Sequence, residues 1–274
     1  MRKKIAIIGG GIAGLTFAHC LSKEKYEIHI FEKKKEFGEI GAAISVFPNA
    51  LSVMDKIGLL DPILQTSGKF ENVFLKTQKG NILSKSAPKS DYPVICIHRT
   101  DLHSILLSDT KAELNTNKSL ECLNYLKNDQ IEITFNDESK FVFDAVIGAD
   151  GIHSAVRKQI IDDEGPIYRG YNIWRGVVKT KFDSGYASET YGIGKRVGIV
   201  PIKDGVYGWW ATCNEDFLKN DEPEGSKEKL KRLFGDWHDP IPDLIENTEE
   251  ILKLSLIHIS EPTRRYAISY AVFC

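Results

Sequence analysis

Three groups of residues have types and spacings suited to chemistry. The first is Gly9-Gly10-Gly11-Ile12-Ala13-Gly14, a G-x-G-x-x-G run. Such a run, placed between a strand and a helix, suits the phosphates of an adenine dinucleotide, NAD and FAD alike. Gly9 allows the tight turn. Gly11, with Ile12 and Ala13 in the opening helical turn, lets a pyrophosphate approach the backbone. Gly14 lets helix and strand pack closely. Glu32 follows Gly14 by 18 residues, where a carboxylate can accept hydrogen bonds from a ribose diol and would repel a 2′-phosphate. The adjoining Lys33 is a further candidate, although Lys33-Lys34-Lys35 as a run reads more simply as a solvated turn. The second group is Asp150-Gly151, with Ser154 and Arg157 three residues apart on one helical face. A cationic fork there pairs naturally with a pyrophosphate, and a structural Asp150–Arg157 ion pair is the plain alternative. The third is Arg99, in Ile97-His98-Arg99-Thr100-Asp101-Leu102, whose plain reading is a surface salt bridge with Asp101. His98, His103 and His153 read as structural or exposed rather than catalytic.

These residues need particular elements to position them. Lys4 to Ile8 reads as a buried strand, Ile12 to Leu21 as a helix and Glu27 to Glu32 as a second strand, so the glycines and the acid fall at strand ends. Pro48 to Ile57 reads as a helix with Pro at its start and Gly58 past its end. Asp101 to Leu107 is expected to be helical. Ile131–Phe135 and Phe141–Ile147 are expected to form one hairpin. Thr190–Val200 and Val206–Thr212 form another, about Asp204-Gly205. The highly charged stretch Lys219 to Lys231 reads as a solvated loop and helix face. The second half is strand-rich and holds Trp174, Trp209, Trp210 and Trp237, which suggests a second domain beside an α/β first one.

Composition narrows the classes. With 36 basic and 38 acidic residues the net charge is −2, which lacks the excess of a nucleic-acid binder. No apolar run approaches the ~18 residues of a membrane span. Cys20, Cys96, Cys122, Cys213 and Cys274 form no C-x-x-C pair, so neither zinc nor a disulfide framework is suggested, and a cytoplasmic setting is expected. There is no metal-ligand spacing and no G-x-S-x-G.

Taken in order, several segments resemble the class A FAD-dependent aromatic monooxygenases, the para-hydroxybenzoate hydroxylase-like family. Asp144-Ala145-Val146-Ile147-Gly148-Ala149-Asp150-Gly151 through Arg157 resembles its Asp-Gly motif. Arg99 resembles the arginine that reaches the flavin cofactor. Gly41-Ala42-Ala43 through Ala50 resembles the segment near the isoalloxazine. Tyr171 to Gly176 and Tyr191 to Pro201 resemble its substrate-domain strands. The resemblance covers about residues 3 to 253. It implies an α/β fold: a Rossmann-like, GR2-type FAD-binding domain (1–70 and 98–165) with a mixed β-sheet substrate domain (71–97 and 166–253). It implies FAD at Gly9, Gly11, Ile12, Ala13, Gly14, Glu32, Lys33, Ala43, Arg99, Asp150, Gly151 and Arg157. It implies NADH or NADPH as co-substrate, and hydroxylation or epoxidation of an aromatic or polyene small molecule by O₂ through a flavin hydroperoxide. A dry pocket is then needed, and Trp174, Tyr207, Trp209 and Trp210 are candidate walls. A flavin reductase without oxygen insertion and a non-catalytic nucleotide-binding protein are the rival readings.

One family hallmark, a Gly-Asp segment continuing Ala-Ala-His-Pro, does not follow residue 253. Instead Leu254-Ser255-Leu256-Ile257-His258-Ile259-Ser260-Glu261-Pro262-Thr263-Arg264 resembles a translated sequencing adapter. The expectation is that 254–274 is a non-native tail, that the C-terminal part of the fold is missing, and that the chain holds FAD poorly and aggregates.

Overall fold

A computed structural model describes residues 2–38, 42–87, 89–162, 165–180, 185–215 and 225–259, with side chains described as far as 254. Gly41, Cys274, the stretch from Lys219 to residue 224 and the tail beyond 259 lie outside the described residues. The order is β1 (Lys3–Ile8), α1 (Ile12–Cys20), β2 (Tyr26–Phe31), β3 (Ala43–Val46), α2 (Pro48–Lys56), α3 (Leu60–Thr66), β4 (Gly68–Phe70), β5 (Val73–Thr77), β6 (Ile82–Ser86), β7 (Val94–His98), α4 (Arg99–Ser108) and β8 (Glu113–Asn115). It continues with β9 (Leu120–Tyr125), β10 (Ile131–Phe135), β11 (Lys140–Phe143), β12 (Ala145–Gly148), α5 (Ala155–Ile161), β13 (Pro166–Lys179), β14 (Ala187–Gly192), β15 (Lys195–Lys203), β16 (Val206–Asn214), α6 (Gly225–Phe234), α7 (Ile241–Asn247) and β17 (Ile251–Ile259).

The described residues divide into two compact units, one drawn from 2–38, 103–167 and 258–259, the other from 42–102 and 168–257. In the first, β12, β1, β2 and β8 form a parallel sheet, with Ile5–Ile8 opposite Ala145–Gly148 and Lys3–Ile8 opposite Tyr26–Phe31. Ile5–Ile8 and Ile28–Phe31, apolar but for His29, are buried on both faces, as a parallel sheet demands. An antiparallel sheet of β11, β10 and β9 adjoins it. Phe31, Phe135 and Phe143 join the two, with Phe31 and Phe135 centroids 4.5 Å apart. The expected second hairpin arm, Phe141–Ile147, is in fact two strands. Asp144 breaks it by accepting the Lys4 N–H on its carboxylate and giving its own N–H to Lys4 O. The chain then leaves the hairpin sheet and pairs along β1.

The second unit is built on a seven-stranded sheet of order β17-β13-β16-β15-β14-β5-β6. The β15–β16 hairpin turns at Asp204-Gly205, both at positive φ (54° and 76°), as the sequence predicts. The run Thr190–Val200 is two strands, because the chain reverses at Ile193-Gly194 with Gly194 at φ 65° and Ile193 fully exposed. Helices α6 and α7 cover one face of the sheet, where Leu230, Phe234, Ile241, Leu244 and Ile245 pack on Trp174, Trp209 and Tyr207. A small antiparallel sheet of β3, β7 and β4 belongs to the same unit, with Cys96, Val94 and Phe70 against Val200 and Ile202. Segment 40–70, assigned by sequence to the first domain, therefore groups with the second, because β3 and β4 both hydrogen-bond to β7 and pack beside β15. β17 crosses position 253 without interruption.

Two further expectations change. Lys229, within the stretch read as solvated, is buried and pairs with Glu215, which also accepts from Asn172. Trp174, Tyr207 and Trp209, candidate pocket walls, are core residues beneath α6 and α7. Trp209 lies across Gly176 and donates from Nε1 to Thr248 Oγ1 at 2.8 Å. Trp210 points to the opposite face, half-buried, and lies across Gly198.

Candidate cofactor site

The glycine loop of the first unit is shaped by close approach. Gly9 has φ 111°, and a Cβ there would stand 2.2 Å from Ala149 O. A Cβ on Gly14 would stand 2.0 Å from Gly9 O and 3.1 Å from Ile7 Cγ2. No side chain fits at either position, so β1, β12 and the start of α1 draw together only because both residues are glycine. Gly11 is the N-cap of α1 and has no side-chain cap, and Leu15 N–H makes the bond back to Gly11 O. The N–H groups of the opening turn, those of Ile12 and Ala13 among them, therefore have no acceptor within the helix.

Gly10, between these, is held on three sides. Glu32 Oε2 accepts its N–H at 2.9 Å, while Glu32 Oε1 accepts the Lys34 N–H at 3.0 Å. His103 Nε2, on the buried side of α4, lies 2.8 Å from Gly10 O. A carbonyl only accepts, so this nitrogen carries the hydrogen. The Phe37 ring lies over the Gly10 Cα. Glu32 is thus at the end of β2 as the sequence predicts, and its carboxylate is also a loop tether. Each of its oxygens keeps one further acceptor site. Lys33 is exposed beside it.

The Asp150 group follows a different plan from an ion pair. Asp150 Oδ2 accepts the N–H groups of Ala155 (2.7 Å) and Val156 (3.2 Å), and Oδ1 accepts from Ser154 Oγ at 2.5 Å. Ser154 Oγ in turn accepts the Arg157 N–H at 2.9 Å. Asp150 and Ser154 together cap α5, which places an acid at the positive end of a helix dipole. Gly151, at φ 83°, makes the turn between them, and Arg157 is buried in the first turn of α5.

Ala43 and Arg99 lie in the second unit. Arg99 opens α4, and its N–H donates to Ala42 O at 2.8 Å. Arg175 Nη2 donates to Ala43 O at 2.7 Å, and Ala43 sits over Gly208. Burial, with the Arg99 charge behind it, holds the Arg175 guanidinium below its usual range. Burial also pushes the Cys96 thiol up to about 12, against a hydrogen bond from Ser45 and the Arg175 charge. Arg175 was not among the sequence candidates. Its signal is a cation alternating with Ile173 and Val177 along one face of β13, opposite the buried Trp174. Among the described residues no His, Cys, Asp or Glu cluster could hold a metal, and no helix is long and apolar enough to cross a membrane.

The first unit thus fits an adenine dinucleotide on its own geometry: a side-chain-free loop, an open helical turn and an acid at the next strand end. The chain is similar to proteins of known function. A family model described as the FAD binding domain matches residues 2–200. The aurachin C monooxygenase/isomerase of Stigmatella aurantiaca is 32% identical over 98% of this chain and 72% of its own length. The 3-amino-4-hydroxybenzoate 2-monooxygenase of Streptomyces cremeus is 27% identical over 95% of this chain and 68% of its own. A tomato (Solanum lycopersicum) chloroplastic zeaxanthin epoxidase is 28% identical over 90% of this chain and 40% of its own. In fold, Klebsiella pneumoniae HpxO, solved with FAD and uric acid, superposes with TM-score 0.83 at 23% identity, over 93% of this chain and 68% of that one. The chain belongs to the FAD binding domain family, whose relatives of this sequence are monooxygenases.

Proposed function

We propose that this chain is the FAD-holding part of a monooxygenase that uses NAD(P)H and O₂ to hydroxylate or epoxidise an aromatic or polyene small molecule. The observation that carries the reading is the loop of Gly9 to Gly14 fixed by Glu32, in a chain of this family. Bound FAD supplies the chemistry of taking two electrons from a nicotinamide and activating dioxygen. The chain's own residues do the rest. Gly11, Ile12 and Ala13 present N–H groups to the phosphates, Gly9 and Gly14 let the loop close on β1, and Glu32 accepts a ribose hydroxyl with its remaining lone pairs. Lys33 adds a positive charge beside that ribose. Asp150 and Gly151 set the entry to α5, and through it the buried Arg157. In the second unit Arg99 and Ala43 are the proposed flavin-side residues, on the family resemblance of their segments.

For the substrate we propose the sheet face opposite α6 and α7, at half-buried Ile173 and Arg175, beside the place where Val177 and Trp210 pack against the small β3-β7-β4 sheet. An aromatic ring with a polar substituent suits such a mixture of an indole, aliphatic side chains and a guanidinium. The name of one relative, an aminohydroxybenzoate monooxygenase, supports that class, and that of another, a zeaxanthin epoxidase, supports the polyene alternative. The test is NAD(P)H consumption by FAD-loaded protein against a panel of aromatic acids and carotenoids under ¹⁸O₂. One ¹⁸O atom in the product is the expected result. NAD(P)H oxidation yielding only peroxide with every substrate would show a reductase instead.

A further inference from the structure

We infer that His103 is a positioning residue for the cofactor's phosphates, acting through the Gly10–Gly11 peptide. This rests on the FAD reading above and adds to it a residue that the glycine motif does not contain. His103 lies on α4, ninety-three positions from the loop, and is 4% exposed. Its Nε2–H donates to Gly10 O at 2.8 Å.

The consequence follows from peptide geometry. In a trans peptide the C=O of one residue and the N–H of the next lie in one plane and point in opposite directions. Gly10 O and the Gly11 N–H belong to the same peptide. A grip on Gly10 O therefore fixes the Gly11 N–H to point away from His103. The preceding peptide is fixed as well, because Glu32 holds the Gly10 N–H at 2.9 Å. Both peptides flanking Gly10 are thus locked by side chains from other elements. Three successive glycines are otherwise the most conformationally free stretch a chain can have. An unlocked loop would lose that freedom when the phosphates bind, and affinity would fall accordingly. His103 removes the freedom before binding. It acts through the peptide rather than on the cofactor itself. Its part is to keep one amide pointed outward at the head of α1.

The experiment compares the full chain with His103→Leu and His103→Gln, titrating FAD by quenching of flavin fluorescence and recording the melting temperature of each FAD-free protein. Leucine fills much of the same space and donates nothing. Glutamine can place an N–H near the position of Nε2. The expected result is an FAD Kd raised about tenfold in His103→Leu, the scale of one hydrogen bond and its ordering, and largely restored in His103→Gln, with closely similar melting temperatures for the two FAD-free variants. An unchanged Kd in His103→Leu would overturn the proposal. So would equal weakening in both variants with a matching drop in melting temperature, since that pattern marks a packing role. A wild-type chain that takes up no FAD would overturn this inference for the chain as it stands, and would match the weak binding expected without the Gly-Asp segment while leaving the family assignment in place.

Discussion

Glu32 grips two backbone N–H groups before any ligand arrives. Replacing it with Gln turns one acceptor into a donor facing those groups, and leaves one of them without a partner. The FAD Kd of Glu32→Gln is expected to rise about tenfold by fluorescence titration, since a charge-assisted bond contributes about 1.5–3 kcal/mol and part of the tether survives. Cys96 offers a pH test. Its thiol titrates near 12 because it is buried, whereas an unfolded cysteine titrates near ~8.5. Its contribution to stability is therefore complete below ~8.5 and is lost as pH rises toward 12. Iodoacetamide at pH 8 is expected to leave Cys96 unmodified in the folded chain and to modify it in urea, read by peptide mass. At this scale the sequence was most legible where chemistry demands one residue type. Gly9, Gly14 and Glu32 are predicted by their spacing alone, and the structure brings them together, the two glycines in the loop and Glu32 at the end of β2 holding the Gly10 N–H. His103 and Arg175 escaped because their partners, Gly10 O and Ala43 O, are backbone atoms 93 and 132 positions away. A main-chain acceptor leaves no mark in the sequence.

α5 shows how an element depends on residues outside it. It spans only Ala155–Ile161, too short to be stable alone. The Asp150 carboxylate takes two of its N-terminal N–H groups and orients Ser154 as the cap. Asp150→Ala is expected to cost about 1–2 kcal/mol in urea unfolding, more than Ser154→Ala, and to loosen the turn at Gly151. The motif was legible as Asp-Gly followed by a helix, but the carboxylate's partner was not, since an i+5 or i+6 backbone N–H competes silently with a visible arginine at i+7. Strand boundaries failed for a related reason. Thr190–Val200 keeps a strand-like composition through Ile193, and only the positive φ of Gly194 marks the reversal. The apolar Phe141–Ile147 run breaks where Asp144 finds Lys4 on another strand, a contact 140 residues distant in sequence.

At the scale of the whole molecule, the sequence separated an α/β portion from a strand-rich one, and the structure shows two compact units, with 40–70 regrouped by hydrogen bonding to β7. Counting tryptophans located the second sheet but not its faces. Trp209 and Trp210 are neighbours in sequence, so a pleated strand must send them to opposite sides, one under helices and one to the half-buried face. That second sheet also ends in an uncovered rung. Among the described residues β6 pairs with β5 on one side only, all five of its residues are exposed, and Ile82 and Leu83 are 60% and 61% accessible. A free row of amides and carbonyls carrying two greasy side chains is a template for any extended peptide, and Lys85 is the one charge on that strand to discourage it. Concentrated solutions are thus expected to scatter light through rung-to-rung stacking. Leu83→Lys should raise the onset concentration severalfold while leaving the urea midpoint where it was, so that shelf life and fold would be governed by separate parts of one polypeptide.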